Sequence, residues 1–475
     1  AMDLQKILLF IKTKYNLILL GFIAFLGFIL RIYDLKKQSY WIDEGYSINA
    51  AKAILDNGYP LLSSGTLYTT HIANSYIIAF TSLLFGNNEF GYRIGSVIFG
   101  TGTIILIYLL AKKIFNSNKI ALVSAFLLSF STLAIGWSRQ ARSYSQLQFF
   151  YLLAIYFYYL LWQKFSTKNF IFFSIFSLLT YFTHQITIVF FPIALLGLAI
   201  KYREKIKEKI DIKKIKTFTV VTLTFVIFLV ITYSYSKSFF QNLSTNYDNY
   251  FTRYSLFLIY TNFLITSTAL IGALYLLIKK THRTLGYYLT IVLLLPFLMI
   301  ANLVNVTNFR YIFFLLPLLY ILSSYIFFYL TDQFFKNKNI RIFFVIFFLI
   351  INFFTLTFYP RDKYYLEDGT PLPNFSLAYE EIKKTIKPND VIISPYTPID
   401  ELYLDKSNYG LVFSFSGRKT DLDIALTQKT NRHNNVPMVL NANQLKNITT
   451  TKHGYIIIDE MFINHTSKEL HEAIR

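Results

Sequence analysis

Ionisable residues of the sequence gather between long apolar segments. Asp43 and Glu44 stand side by side after the first such segment, close to Trp41, and His71 follows in the same interval. Arginines recur where later apolar segments begin, at Arg93, Arg142 and Arg310. A carboxylate can take a proton from a hydroxyl group, and a guanidinium group binds phosphate oxygens through two parallel hydrogen bonds. The pattern therefore favours a general base combined with an anion site, and the anion that we expect is a lipid phosphate.

The composition indicates a membrane protein. Of 475 residues, 54% are hydrophobic and only 15% are charged, and the chain contains 49 Phe and 37 Tyr. Such a chain is not intrinsically disordered, because disorder requires low hydrophobicity and few aromatic residues. The absence of cysteine excludes a disulfide scaffold, a zinc–thiolate site and a cysteine nucleophile. We assign the net charge of +20 to cytoplasmic loops and not to a nucleic-acid surface.

Eleven apolar segments are candidates for transmembrane helices, since a span needs roughly 20 mostly apolar residues. We interpret the first as a span and not as a cleaved signal peptide, because further spans follow it. Clusters of Lys and Arg, such as the eight basic residues of segment 201–216, all fall on one side of the predicted topology. That side is expected to be cytoplasmic, with the N-terminus inside and the C-terminus outside. The candidates are 16–34, 91–110, 118–136, 144–162, 169–183, 185–200, 217–235, 254–278, 285–301, 311–330 and 341–358.

Three segments then lie outside the membrane. They are the first loop, 35–90, a short loop, 236–253, and the C-terminal segment, 359–475. Within the first loop, residues 72–85 are too few to span and are expected to form an interfacial helix. The C-terminal segment combines a helical pattern at 377–386 with short β-rich runs at 391–393, 411–413 and 455–458. We therefore predict a polytopic α-helical membrane module over 1–358 and a small extracytoplasmic α/β domain over 359–475.

The same ionisable residues also have structural interpretations. Glu89 and Arg93 have the i,i+4 spacing of an ion pair at a helix end. Each arginine alone is compatible with a side chain that reaches the lipid headgroups. His184, with Thr183, stands at a predicted turn and is compatible with either a structural role or a phosphate contact. Three arginines at outer span ends together favour the phosphate site.

In this order, the motifs resemble those of the GT-C membrane glycosyltransferases, in the branch of protein O-mannosyltransferases and aminoarabinose transferases. The resemblance covers roughly residues 15–330. Two departures are visible: no proline follows His71, and Gln140 stands where an acidic residue is often found, so the metal stays unassigned. The matching pieces are Asp43-Glu44 after the first span, the segment beginning at His71, EFGYRIGS at 89–96, QARSYSQL at 140–147, Thr183-His184 and RYIFFLLP at 310–317.

The resemblance implies a GT-C fold and the inverting transfer of a sugar from a polyprenyl-phosphate-linked donor to an acceptor hydroxyl on the outer face. Asp43 is the expected base, and Glu44, the second catalytic candidate, would orient the loop or pair with an arginine. The acceptor would be a protein, a lipid or an envelope glycan, and no cofactor is certain, although a divalent metal is left open. The residues expected to bind the lipid phosphate or the sugar are His71, Arg93, Arg142, Tyr144, His184, Arg310 and Tyr311.

Two other classes of protein are compatible with parts of the pattern. A transporter or flippase for a lipid-linked or anionic solute would place ionisable residues near the middle of the bilayer, whereas here they gather at the outer rim. An oligosaccharyltransferase or glycan ligase is the third interpretation, and the adjacent tryptophans sought for that class are missing, since Trp41, Trp137 and Trp162 stand apart. Membrane lipids are expected partners, and nucleic acid is not.

Overall fold

The computed structural model describes residues 4–208, 250–303, 308–357, 374–412, 427–431 and 433–474. The predicted span at 217–235, most of the loop at 236–253, residues 209–216 of the basic segment and Phe413 lie outside the described residues.

Long helices make up most of the described chain. Six are long and apolar enough to cross a bilayer, and the number rises to eight if each of two bent helix pairs is one span. The prediction of a polytopic α-helical membrane protein is confirmed, and the number of eleven spans stays a prediction. Within the described ranges before residue 358, the helices are Leu4–Ile32, Ile42–Asn57, Ile72–Phe85, Glu89–Phe115, Asn118–Ser129, Thr132–Ser138, Tyr144–Gln163, Thr167–Thr183, Phe190–Glu208, Phe251–Ile278, Arg283–Leu289, Leu295–Leu303, Leu316–Phe334 and Lys338–Thr357. Shorter 3₁₀ turns lie at Gln185–Val189, Lys280–His282, Phe309–Tyr311 and Phe313–Leu315, and a π-helical stretch lies at Thr290–Leu294.

The span predicted at 118–136 is not one straight helix. It consists of Asn118–Ser129 and Thr132–Ser138, which meet at an angle of 60°. Ser131 begins the second helix, because its hydroxyl oxygen accepts a hydrogen bond from the Ala134 N–H. Buried Arg31 stabilises the end of the first helix by donating to the carbonyl oxygens of Ser129, at 3.0 Å, and Leu128, at 3.1 Å. A cation at helix-terminal carbonyls is favourable because those oxygens carry the negative end of the helix dipole.

The chain forms two compact units. The first consists of Ala1–Tyr33, Ser96–Arg139 and Ser143–Tyr359, and the second of Asp34–Gly95, Gln140–Arg142 and Pro360–Arg475. The division into domains at residue 359 stays a prediction.

In the second unit, the first loop and the C-terminal segment share one hydrophobic core. Ile48 and Ala51 of the Ile42–Asn57 helix are fully buried in the same cluster as Tyr379 and Ile399 of the C-terminal segment. The Ile42–Asn57 helix ends at Gly58, whose φ of 83° is a left-handed conformation that glycine adopts without steric cost. The predicted interfacial helix is present as Ile72–Phe85. It exposes Phe80, Leu83 and Leu84, as contact with lipid would require, and its position on the membrane stays a prediction.

A four-stranded parallel sheet forms the centre of the C-terminal segment. The strands are Val391–Ser394, Tyr409–Leu411, Met438–Val439 and Gly454–Ile456, in the spatial order third, second, first, fourth. Ile392 faces the core shared with the first loop, whereas its neighbours Val391 and Ile393 face a second core, as alternation along a strand requires. The accompanying helices are Phe375–Thr385, Thr397–Leu404, Ala442–Thr451, Glu460–His465 and Lys468–Ile474.

The prediction of a small α/β region is thereby confirmed. The second strand begins two residues before the predicted run at 411–413, and the fourth covers 454–456 instead of 455–458. The two-residue strand Met438–Val439 was not predicted, because so short a run has no detectable alternation.

Candidate functional site

Glu44 and Arg93 form a bidentate ion pair inside the second unit, and both side chains are completely buried. Arg93 Nε donates to Glu44 Oε1 and Arg93 Nη2 donates to Glu44 Oε2, each at 2.8 Å. Glu44 Oε1 also accepts the Ala141 N–H at 2.7 Å. The other three N–H groups of Arg93 donate to the backbone oxygens of Leu35, Gln38 and Ser39 at 2.7–3.1 Å. All five donors of the guanidinium are therefore occupied.

This geometry contradicts the expectation that Arg93 binds the donor's phosphate. A fully buried guanidinium with five occupied donors has no N–H left for a ligand. Glu44 likewise fits a pairing role and not that of a second catalytic carboxylate, because Arg93 and Ala141 take both of its oxygens. The pair joins the first loop to the beginning of the Glu89–Phe115 helix and to the turn at 140–142.

Asp43, the neighbouring residue, lies at the centre of a second polar group, which we call the Asp43 cluster: Asp43, Ser47, Tyr68, His71 and Arg142. Arg142 Nη2 lies 3.4 Å from Asp43 Oδ2. Arg142 Nη1 donates to the Asp43 backbone oxygen at 2.9 Å and to Ser47 Oγ at 2.7 Å. Tyr68 Oη, at 3.5 Å, and His71 Nε2, at 3.4 Å, also lie within reach of the Arg142 guanidinium.

The local sequence explains this convergence. Asp43 is in the first turn of the Ile42–Asn57 helix, where a carboxylate is favourable, and Ser47 is one turn later on the same face. His71 immediately precedes the Ile72–Phe85 helix. Because a guanidinium only donates, a hydrogen bond from Arg142 to His71 Nε2 requires the tautomer that accepts at this nitrogen, and the phosphate contact expected of His71 stays a prediction.

Asp43 is the more accessible of the two members of this ion pair. Its side chain is 14% exposed, whereas the side chain of Arg142 is 5% exposed. A cation fixed beside a carboxylate favours its ionised form, which is the form that accepts a proton. The arrangement can therefore serve as a general base held in one orientation.

The first unit contains the other four predicted residues, which we call the Arg310 cluster: Tyr144, His184, Arg310 and Tyr311. The Arg310 guanidinium carbon lies 5.5 Å from the centre of the Tyr311 ring and 5.9 Å from that of the Tyr144 ring. The His184 ring lies 5.9 Å from Tyr144 and meets Tyr311 edge-on at 5.6 Å. Aromatic faces stabilise a cation at such distances, so this group presents a positive charge among hydroxyl and imidazole donors.

Both interpretations of His184 are compatible with its position. The Thr167–Thr183 helix ends just before it, as predicted, and His184 Nδ1 accepts the Ile186 N–H at 3.2 Å. A neutral ring that accepts at Nδ1 carries its proton on Nε2. The residue thus begins the next helical turn.

Two members of the Asp43 cluster, Ser47 and Tyr68, were not predicted from the sequence. Ser47 could have been found, because it stands four residues after Asp43 in a helical segment. Tyr68 had no such signal, since it is one of 37 tyrosines and its contact with Arg142 joins distant parts of the chain.

No metal site can be assigned in the described ranges. Among those residues, no three His, Asp or Glu side chains converge as the ligands of a metal ion would. Gln140, at the position where the resemblance implied an acidic residue, is completely buried and supplies a neutral amide instead of a carboxylate. The described residues therefore do not identify ligands for the divalent metal whose presence the sequence did not decide.

Comparison with known proteins supports the expected class. The sequence model of the dolichyl-phosphate-mannose-protein mannosyltransferase family matches residues 72–233, about a third of the chain. A curated protein of Aquifex aeolicus (strain VF5), named only as uncharacterized, is 30% identical over 145 residues. That match covers 30% of this chain and 28% of the relative.

Two kinds of solved structure have a similar fold. ArnT from Cupriavidus metallidurans, bound to undecaprenyl phosphate, is 12% identical, with a TM-score of 0.60 and coverage of 90% of each chain. The oligosaccharyltransferase AglB from Archaeoglobus fulgidus, in complex with an inhibitory peptide and a dolichol-phosphate, is 11% identical, with a TM-score of 0.57. This second match covers 83% of the present chain, which spans 64% of the length of AglB. The chain therefore shares the GT-C fold expected from the sequence with these two proteins, and its residues 72–233 are similar to the mannosyltransferase family.

Proposed function

We propose that the protein transfers a sugar from a polyprenyl-phosphate-linked donor to an acceptor hydroxyl, with inversion at the anomeric carbon. The observation that carries this proposal is the Asp43 cluster, in which a partly exposed carboxylate is held by a buried guanidinium in the first turn of a helix. The two structurally similar proteins are bound to undecaprenyl phosphate and to a dolichol-phosphate, which supports a lipid-linked donor.

Asp43 acts as the base in a single displacement. The acceptor oxygen attacks the anomeric carbon while its proton passes to the Asp43 carboxylate. The bond between the anomeric carbon and the phosphate oxygen breaks, and the phosphate leaves with the electron pair. A transition state of this kind has oxocarbenium character, and attack opposite the leaving group inverts the configuration. Arg142 is the positioning residue, because it fixes both the carboxylate and the backbone of Asp43.

The Arg310 cluster is our proposed contact for the phosphate. The leaving phosphate gains charge in the transition state, and fixed donors placed at that charge lower the barrier. Arg310 supplies the positive charge, and Tyr144, His184 and Tyr311 supply hydroxyl and ring donors around it. Arg93, which the sequence also placed in this role, is removed from it because all its donors are occupied.

We place the reaction on the outer face of the membrane. The support is the distribution of basic residues, which puts the Lys-rich loops in the cytoplasm and both the first loop and the C-terminal segment outside. The acceptor is a hydroxyl group of a protein, lipid or envelope glycan at that face.

The test follows the donor and the product together. The purified protein is incubated with a polyprenyl-phosphate-linked sugar of defined anomeric configuration and with membrane acceptors, and the product is analysed by NMR. We expect free polyprenyl phosphate and a glycoside of opposite configuration in equal amounts. A product with retained configuration would refute the single displacement. Movement of the intact donor between the leaflets of a vesicle, without its consumption, would instead establish the flippase that the sequence left as an alternative.

A further inference from the structure

The C-terminal segment contacts the helix that carries Asp43 at Gly45. A Cβ atom built on Gly45 would lie 3.0 Å from Pro398 Cβ and 3.1 Å from Ile399 Cδ1. The Ile42–Asn57 and Thr397–Leu404 helices therefore touch two residues after Asp43. Ile399 is fully buried there, in the core that also contains Ile48. A close-packed contact of this kind leaves little freedom for the helix to shift.

Glu401 makes a second, polar contact with the same helix. Its Oε2 accepts a hydrogen bond from Asn49 Nδ2 at 2.8 Å, and its Oε1 accepts one from Asn434 Nδ2 at 2.9 Å. Both bonds have a carboxylate acceptor, so they are stronger than bonds between neutral groups when the side chain is ionised. Glu401 thus connects Asn49, six residues after Asp43, to a turn of the C-terminal segment.

A third contact lies just before the helix begins. Tyr403 Oη accepts the Tyr40 N–H at 3.1 Å, and the centres of the two rings are 5.4 Å apart. Burial raises the pKa of the Tyr403 hydroxyl to about 12, so it remains protonated at neutral pH. The Thr397–Leu404 helix therefore contacts the Asp43 helix at its entry, beside its first turn and at its middle.

From these contacts we infer that the C-terminal segment sets the position of the catalytic carboxylate, and that Glu401 is a positioning residue that acts through Asp43. The inference rests on the proposed function, since it assumes that Asp43 is the base. Small displacements of a catalytic group are expensive, and about 1 Å can cost on the order of 100-fold in rate. Loss of the two hydrogen bonds of Glu401 should shift Asp43 by less than this. We therefore expect kcat to fall by about tenfold to 100-fold, without a change in the donor KM.

The experiment combines Glu401→Ala with Asp43→Asn, singly and together. If Glu401 acts through Asp43, Glu401→Ala lowers kcat in the wild-type background and has no further effect on the residual rate of Asp43→Asn. The control is Glu381→Ala, which removes an exposed carboxylate of the same segment whose ion-pair partner is Lys384. The control should keep the wild-type kcat. Glu401→Gln keeps the size of the side chain and one acceptor oxygen, and it should lose less activity than Glu401→Ala.

A second measurement separates this inference from the proposed function. Hydrogen exchange of residues 42–57 should be faster in Glu401→Ala than in the wild type, and unchanged in Glu381→Ala. Wild-type exchange in Glu401→Ala, or the same loss of kcat in both Asp43 backgrounds, would overturn the inference. If Asp43→Asn were as active as the wild type, the proposed function would fail, and the exchange rates would still decide whether Glu401 positions the helix.

Discussion

Arg93→Ala should destabilise the second unit without a specific effect on donor binding. The substitution leaves the Glu44 carboxylate completely buried and without its cation, with the Ala141 N–H still donating to it, and it removes the donors from three backbone oxygens. Removing one member of a buried ion pair typically costs about 3–5 kcal/mol of folding free energy. For a cooperative unit of roughly 150–250 residues, this corresponds to a fall in Tm of about 6–20 °C.

The assay is thermal unfolding in detergent, followed by size-exclusion chromatography, together with donor affinity measured on the folded fraction. Arg341→Ala is the matched control, because Arg341 pairs with Asp332 at 2.9 Å in an exposed position. Exposed pairs contribute about 0–1 kcal/mol, so this variant should unfold near the wild-type temperature. If Arg93→Ala kept the wild-type Tm and bound the donor at least about tenfold more weakly, Arg93 would be a phosphate ligand and the structural assignment would be wrong.

Three further predictions concern pH, the phosphate and the topology. Burial raises the pKa of the Asp400 carboxyl from its ordinary 3.8 to about 7. Between these two pH values the folded protein binds more protons at Asp400 than the unfolded protein does, so the free energy of unfolding falls as pH rises from about 4 to 7. Asp400→Asn should abolish that fall, and a Tm series from pH 4 to 8 with the same slope in both proteins would contradict it. Arg310→Ala should weaken donor affinity, measured on the folded protein, by roughly 1.5–3 kcal/mol, the scale of a hydrogen bond to a charged group; an unaltered dissociation constant would exclude the contact. In intact cells, an impermeant thiol reagent should label a cysteine at exposed Lys384 and not one at exposed Lys280, and the reverse pattern would invert the topology.

The sequence was informative where a property depends on residues close together in the chain. The helices follow from apolar segments of suitable length, and the end of one helix at Thr183 agrees with the predicted turn. The pairing of Glu44 with an arginine was also among the expectations, because both residues stand at ends of predicted spans. The order of the motifs along the chain was sufficient to predict the GT-C fold.

What the sequence could not provide are contacts between distant segments. Arg93 was expected to bind phosphate, since nothing in the sequence reveals that the backbone oxygens of Leu35, Gln38 and Ser39 surround it. Similarly, the run 118–136 is apolar throughout, and the signal for its break is the single hydroxyl of Ser131. The contact between Asn49 and Glu401 joins residues 352 positions apart, and no local pattern encodes it.

The rate of the chemical step in Asp43→Asn tests the central claim most directly. Wild type, Asp43→Asn and Asp56→Asn are each mixed in excess with a polyprenyl-phosphate-linked sugar in the presence of acceptor, and release of polyprenyl phosphate is followed over a single turnover. Asp56 is an exposed carboxylate on the same helix, so Asp56→Asn controls for the change from Asp to Asn. Base catalysis contributes about 10²–10⁴-fold, and we predict a loss of that size in Asp43→Asn, with donor affinity preserved and Asp56→Asn at the wild-type rate. A rate for Asp43→Asn within about tenfold of the wild type would contradict the assignment of Asp43 as the base.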